Sequence, residues 1–253
     1  MNISSNKTLN IGWLYPQLMN IYGDRGNIIT LQKRCEWRGI KAKVLRLDVG
    51  FSTKDLEKCD LLIMGGAQDK QQEKVAEDLF KKRNVLKKII EKGIPGLYIC
   101  GAYQFLGNYY KEANGHVIEG LEIFNIHTEN PGENKKRLIG NISLESSTIS
   151  YRLLGFENHG GRTYLGNGIK PFGKVLKGFG NNGEDETEGA IYKNSFGTYL
   201  HGPILPKNPK LADYLIEKAL EIKYKKKITL EILDYSLEEK ARMAIAKRLQ
   251  VTI

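Results

Sequence analysis

Residues 94–107, IPGLYICGAYQFLG, are the stretch from which the fold is read. Leu97, Tyr98 and Ile99 form a short apolar strand that stops at Cys100, after which Tyr103, Phe105 and Leu106 repeat at helical spacing. A strand turning directly into a helix is a unit of α/β architecture, and the corner residue stands on a tight turn with its side chain exposed. Here that residue is a cysteine. The helix end beside it carries partial positive charge, which favours thiolate over thiol. Gly101 and Ala102 are small enough to let a substrate carbonyl approach the backbone N–H groups. Cys100 thus has two readings at this point, a corner nucleophile or a small buried hydrophobe at a strand end.

On the N-terminal side, residues 9–15 (LNIGWLY) read as a first strand. Gly23, Asp24 and Gly26 mark a turn, and Asn27 is placed to cap a helix over 28–38 that ends at Gly39. Residues 41–47 alternate as a second strand. Residues 61–64 are apolar on both faces, like a strand of a parallel sheet, and run into Gly65-Gly66-Ala67-Gln68-Asp69. A long lysine-rich helix is predicted from there to Lys92. This alternation predicts an α/β fold with a mostly parallel, doubly wound sheet and helices on both faces.

Beyond residue 115 the texture changes. Strands or hairpins are predicted at 121–128, 137–144, 151–157 and 174–178, punctuated by NPGEN, ENHGGR, LGNG and GFGNNGED. Residues 190–200 read as strand–turn–strand ending in His201-Gly202-Pro203. Helices are predicted at 209–223 and 237–249, the second capped by Ser236 with Glu239 completing a capping box. There are no repeats and no low-complexity linker. One domain is expected over 1–253, with its core at about 9–206 and C-terminal helices over 209–250.

The chain has 253 residues, 41% hydrophobic and 27% charged, as in ordinary soluble globular proteins. No apolar run approaches the roughly 18 residues of a membrane span. The start, MNISSNKTLNIGW, lacks the basic-then-apolar pattern of a secretory signal. Three widely spaced cysteines, Cys35, Cys59 and Cys100, have no metal spacing and an odd count, which predicts a reducing, cytoplasmic setting and no metal site. The formal charge of +10 invites a nucleic-acid reading. Its lysines, such as Lys81, Lys82, Lys87, Lys88 and Lys92, are spread along predicted helices without an aromatic-interleaved stripe. Solvated helix faces are the preferred reading, and no nucleic-acid partner is expected.

Thiol chemistry needs a base. Of the four histidines, His116, His127, His159 and His201, the last stands at the C-terminal end of an apolar strand, followed by Gly-Pro. Reactive groups in open α/β sheets gather beyond the carboxyl ends of strands, where Cys100 also lies. Gly65-Gly66 supplies a second turn at such an end. Gly66 and Gly101 are therefore the expected oxyanion donors, each worth about 3 kcal/mol in barrier terms. The glycines match no phosphate-loop pattern.

ICGAYQFLG, Gly65-Gly66-Ala67-Gln68-Asp69 and GTYLHGP together resemble the class I glutamine amidotransferases of the cobyric acid synthase type. MNIYGDRGNI, GFENHGGRTYLG, GFGNN and GTYLHGPILPKNP narrow the resemblance to glutaminase subunits that serve a MurT-like Mur ligase acting on lipid II. The resemblance runs from about residue 9 to the last helices. It implies a flavodoxin-like fold, with Cys100 as the nucleophile on L-glutamine, His201 as general base and Arg137 as the arginine that binds the substrate. It implies no cofactor in this chain, ATP in the partner subunit, and action at the inner face of the membrane. Ala102 and Ala67 stand where the family commonly has glycine. Pro203 stands where many class I members place a glutamate after the histidine, so no third catalytic member is assigned. Glu157 and Asp24 lie in the quoted motifs, with turn or cap roles as the alternative. Other readings are a glutaminase for a cobyrinate-type acceptor and a non-catalytic regulatory subunit; the presence of both Cys100 and His201 argues against the latter.

Overall fold

The computed structural model describes residues 7–67, 69–132, 134–146 and 148–253; the side chains of residues 69–73 are not described. Gln68 of the Gly-Gly-Ala-Gln-Asp motif and Glu133 of NPGEN fall outside the described residues. In chain order the elements are β1 (Thr8–Leu14), α1 (Arg25–Glu36), β2 (Lys41–Leu47), α2 (Thr53–Leu56), β3 (Leu61–Met64), α3 (Asp69–Phe80), α4 (Arg83–Glu91), β4 (Gly96–Ile99) and α5 (Gly101–Phe105). Then come β5 (Tyr109–Lys111), β6 (Val117–Glu119), β7 (Ile126–Glu129), β8 (Leu138–Ser146), β9 (Tyr151–His159), β10 (Arg162–Leu165), β11 (Gly173–Lys177), β12 (Thr187–Glu188), β13 (Ala190–Tyr192) and β14 (Ser195–Thr198). The chain closes with α6 (Ile204–Lys207), α7 (Pro209–Tyr224) and α8 (Ser236–Leu249).

β3, β4 and β14 are buried along their whole length, as strands covered on both faces; β3 is wholly apolar, while β14 carries two buried polar residues, Ser195 and Thr198. They lie in a sheet of order β13-β14-β4-β3-β1-β2, parallel except for β13. This is the doubly wound arrangement, with helices on both faces. Thr198 pairs with Ile99 and Tyr98 with Met64, so the carboxyl ends of β14, β4 and β3 finish side by side. The insert between α5 and β13 builds two further four-stranded sheets, β10-β7-β5-β6 and β12-β11-β8-β9. Among the described residues, no helix is long and apolar enough to cross a membrane, and no cluster of three or more His, Cys, Asp or Glu could hold a metal ion.

Four local expectations are corrected. The lysine-rich helix is two helices, α3 and α4, broken at Lys81-Lys82. Lys82 is buried, not solvated: its Nζ is 2.7 Å from Asp78 Oδ1 and 4.5 Å above the Phe51 ring. Of the strand predicted at 121–128, only the end is extended; the N–H groups of Leu121, Ile123 and Phe124 donate to Phe105 and Leu106 carbonyls at the end of α5. The capping box does not form. Ser236 is already helical and is held by Asp234, while Glu239 takes Tyr151 Oη and Arg242 Nε. Buried Arg242, which also donates to the Lys207 and Arg152 carbonyls, binds α8 to the body and draws Glu239 sideways.

Candidate active site

Cys100 links β4 to α5 with φ 54° and ψ −107°. A left-handed φ in a residue with a Cβ stores about 1–3 kcal/mol and persists only where neighbours dictate it. Here they do: Cys100 N–H donates to Thr198 O at 2.8 Å, and its carbonyl accepts from Gln104 N–H at 3.0 Å. The corner is as predicted, but its side chain is not exposed. Cys100 is 8% accessible, and Ile21 and His201 border the same space beside Gly66 that it does.

His201 follows β14 and is fixed by a backbone bridge to the insert, its N–H donating to Phe156 O at 2.6 Å. The ring is fully buried, and neither nitrogen has a hydrogen-bond partner among the described residues. Burial pushes its pKa down to about 3, helped by the charges of His159, Lys207 and Arg137. The imidazole is therefore neutral at neutral pH, the form that accepts a proton.

Gly66 joins the two halves. A Cβ built on it would stand 3.2 Å from His201 Cε1 and 3.3 Å from Cys100 Cβ, so both side chains border the small space that its missing methyl leaves. Gly65 is glycine for a different reason: a Cβ there would meet Asp24 Oδ2 at 2.3 Å and Met19 O at 2.5 Å. The N–H of Gly66, the residue expected to donate to an oxyanion, donates to Asp24 Oδ2 at 2.9 Å. A single N–H cannot serve both acceptors well. At the corner, the first turn of α5 leaves the N–H groups of Gly101 and Ala102 without helical acceptors.

Asp24 and Glu157, the two acids in the quoted motifs, are both buried and both engaged with backbone. Asp24 is raised to about 7 by burial, opposed by the Gly66 hydrogen bond. Glu157 accepts the N–H groups of Phe179 (2.7 Å) and Gly180 (2.9 Å). Neither bonds His201. Arg137, just before β8, lies exposed at the rim. Its Nε donates to Asn158 Oδ1 at 3.0 Å and its Nη2 to Asn158 O at 3.1 Å. The remaining histidines have structural surroundings. His159 stacks on Tyr199 (centroids 3.6 Å apart), His127 lies between Tyr109 and Tyr164, and exposed His116 meets Glu112.

Sequence reasoning passed over three supports. Tyr22 lies against His201, with centroids 4.7 Å apart. Glu188, fully buried and raised to about 8 by desolvation, accepts Thr198 Oγ1 and Tyr199 N–H and so holds the segment leading to His201. Gln104 Nε2 donates to Tyr199 Oη at 3.1 Å, and Tyr199 Oη meets Thr163 Oγ1 at 2.6 Å, forming a polar net beside Cys100. A buried glutamate two residues before a β-strand has no sequence signal. Tyr22 did have one, its place beside a turn glycine in a quoted motif.

Residues 10–209 match the CobB/CobQ-like glutamine amidotransferase domain. The chain is 47% identical over 205 residues to the lipid II isoglutaminyl synthase (glutamine-hydrolyzing) subunit GatD of Staphylococcus aureus, covering 81% of this chain and 82% of that one. It is 42% identical over 224 residues to the GatD subunit of Streptococcus pneumoniae, covering 88% and 84%. A probable cobyric acid synthase of Methanococcus vannielii is 34% identical, but the match spans only 37% of that protein against 71% of this one. Among solved structures, a glutamine amidotransferase superposes with a TM-score of 0.56 at 16% identity, covering 83% of this chain and 98% of that one, a likeness of fold. The chain belongs to the CobB/CobQ-like glutamine amidotransferase family.

Proposed function

We propose that this chain is a glutaminase subunit, hydrolysing L-glutamine to L-glutamate and ammonia through a thioester on Cys100. The observation that carries the reading is the placing of Cys100 and the buried His201 on either side of the space above Gly66. Cys100 Sγ attacks the γ-carboxamide carbon while His201 takes the thiol proton, which it then gives to the departing nitrogen. The tetrahedral oxyanion is met by Gly101 and Ala102 N–H groups at the start of α5. Water, deprotonated by His201, then cleaves the γ-glutamyl thioester and restores the thiol. Arg137 receives the α-carboxylate at the rim, a role suited to the planar fork of a guanidinium.

Ammonia released into water at neutral pH becomes ammonium and loses its nucleophilicity, so the product needs a shielded path to its acceptor. A bound synthetase subunit meets that need. The relatives of 47% and 42% identity, matched over most of their length, support a MurT-like Mur ligase. That subunit would use ATP to activate D-glutamate of lipid II, which ammonia converts to D-isoglutamine at the cytoplasmic face of the membrane. The cobyrinate-type acceptor is less well supported, since the match to those synthases covers a minor part of them. Co-expression with the ligase and supply of amide-15N glutamine, ATP and lipid II tests the proposal: 15N in the D-isoglutamine is expected. Labelled free ammonia with unlabelled lipid II would overturn the acceptor assignment.

A further inference from the structure

The side chain that covers the base lies outside the catalytic pair. Tyr22 sits in the turn Ile21–Gly23 with a left-handed backbone, φ 54° and ψ 24°, uncommon for a residue with a Cβ. The turn is held on both sides by Gly66: Ile21 N–H donates to its carbonyl at 3.4 Å, and Asp24 accepts its N–H at 2.9 Å. The Tyr22 ring lies 4.7 Å from the His201 ring and 6.2 Å from that of Phe156. Tyr22 is 44% exposed while His201 is fully buried, so the phenol roofs the imidazole.

The roof is tied to the rim. Asn158 Nδ2 donates to Tyr22 Oη at 2.6 Å, and Asn158 in turn accepts from Arg137 at both its side-chain and its backbone oxygen. A continuous chain of contacts therefore runs from an exposed guanidinium, through an amide and a phenol, to the buried base. We propose that Tyr22 is a positioning residue for His201, and that the Asn158 bridge couples its placement to occupation of Arg137 by a carboxylate. This rests on the reading of Arg137 as the α-carboxylate site.

The coupling follows from donor geometry. The guanidinium edge formed by Nε and one Nη is one of the two that a carboxylate can take bidentately, and here it serves Asn158. A carboxylate that takes this edge releases the Asn158 amide, which then no longer fixes the Tyr22 hydroxyl. The roof can move, and the imidazole, whose nitrogens have no hydrogen-bond partner among the described residues while the roof is down, can turn toward Cys100. Binding energy from a remote part of the substrate is thereby spent on assembling the pair, so a substrate lacking that part loses kcat as well as affinity.

The test compares L-glutamine with 4-aminobutanamide, the same amide without the α-carboxylate, in the complex with the ligase subunit. For wild type, kcat is expected to fall at least tenfold with the truncated amide. In Asn158→Ala and in Tyr22→Phe, which keeps the ring but loses the hydrogen-bonded oxygen, the kcat ratio is expected to shrink to about threefold or less. An unchanged ratio in both variants overturns the coupling. A second readout does not need turnover: in Cys100→Ala protein with labelled histidine, L-glutamine should shift the His201 NMR signal, and Asn158→Ala should abolish that shift. Glutamine that binds without moving the signal in the Cys100→Ala parent also overturns the coupling, while leaving the glutaminase reading intact. Absence of Cys100-dependent glutamate release from wild type sinks both.

Discussion

Gly66 donates its N–H to Asp24 Oδ2 at 2.9 Å, joining the turn after β3 to a residue 42 positions earlier. Burial raises the Asp24 pKa from 3.8 to about 7, so the folded state holds a proton that the unfolded chain gives up near pH 4. The folded state binds more protons between those values, and stability therefore falls as pH rises through that window. Glu188, raised to about 8, acts in the same direction. His201, whose pKa is depressed, acts in the opposite one: its contribution is lost as pH falls below about 6.5. Asp24→Asn keeps an acceptor for Gly66 and removes one of these titrations. Its unfolding free energy relative to wild type, from urea titrations, is expected to gain about 2–3 kcal/mol between pH 5 and pH 8. No change in that difference would contradict the buried, protonated acid.

The two neighbouring glycines should fail differently. Gly65→Ala drives a methyl into the Asp24 carboxylate and the Met19 carbonyl, and backbone cannot move aside cheaply. A loss of about 2–3 kcal/mol in unfolding free energy is expected. Gly66→Ala meets only side chains, at 3.2–3.3 Å, and those are Ile21, His201 and Cys100. It should fold with near-normal stability and lose about 100-fold in glutaminase activity, because the pair is pushed apart. Thermal melts and glutamate release on both variants check the contrast.

Glu188 is predicted to be a neutral support. Glu188→Gln should cost little, since an amide oxygen still accepts Thr198 Oγ1 and Tyr199 N–H. Glu188→Leu leaves those donors buried and unpaired, a loss of about 1–3 kcal/mol. It also loosens the segment before His201, so kcat should fall more than KM rises. Equal stability for the two variants would argue against this role.

Arg137 gives a prediction of the other kind. Arg137→Ala should raise KM for L-glutamine by about 10–100-fold, the range of a hydrogen bond to a charged group. Arg137→Lys should recover only part of this, because an ammonium lacks the bidentate fork. Steady-state glutamate release resolves KM from kcat.

The parts of this site that could be read in the sequence are those fixed by a few consecutive residues. The Leu97–Ile99 run, the small residues after Cys100 and the Gly-Pro after His201 each encode a strand end and a turn, so the corner cysteine and the strand-end histidine were visible. What closes around them is set by distant parts of the chain. Asp24 reaches Gly66 through an insertion of the first turn into the site, Tyr22 reaches His201 the same way, and Glu188 supports Thr198 from the end of β12, a strand of another sheet. Lys82 shows the same limit in the fold. By helix periodicity it is another surface lysine, yet it is buried against Asp78 and Phe51 at the point where α3 gives way to α4. Ser236 and Glu239 spell a capping box, but the buried Arg242 outcompetes it for Glu239. The short strands β5, β6 and β10 of the insert are too brief and too rich in glycine at their flanks to carry a periodic signal.

The most direct test of the central claim is glutamate release from L-glutamine by wild-type and Cys100→Ala protein, each with and without the co-expressed Mur-ligase-like subunit. The account predicts release that requires Cys100 and rises when the partner is present. Release that persists in Cys100→Ala, or none from wild type in either state, would contradict it.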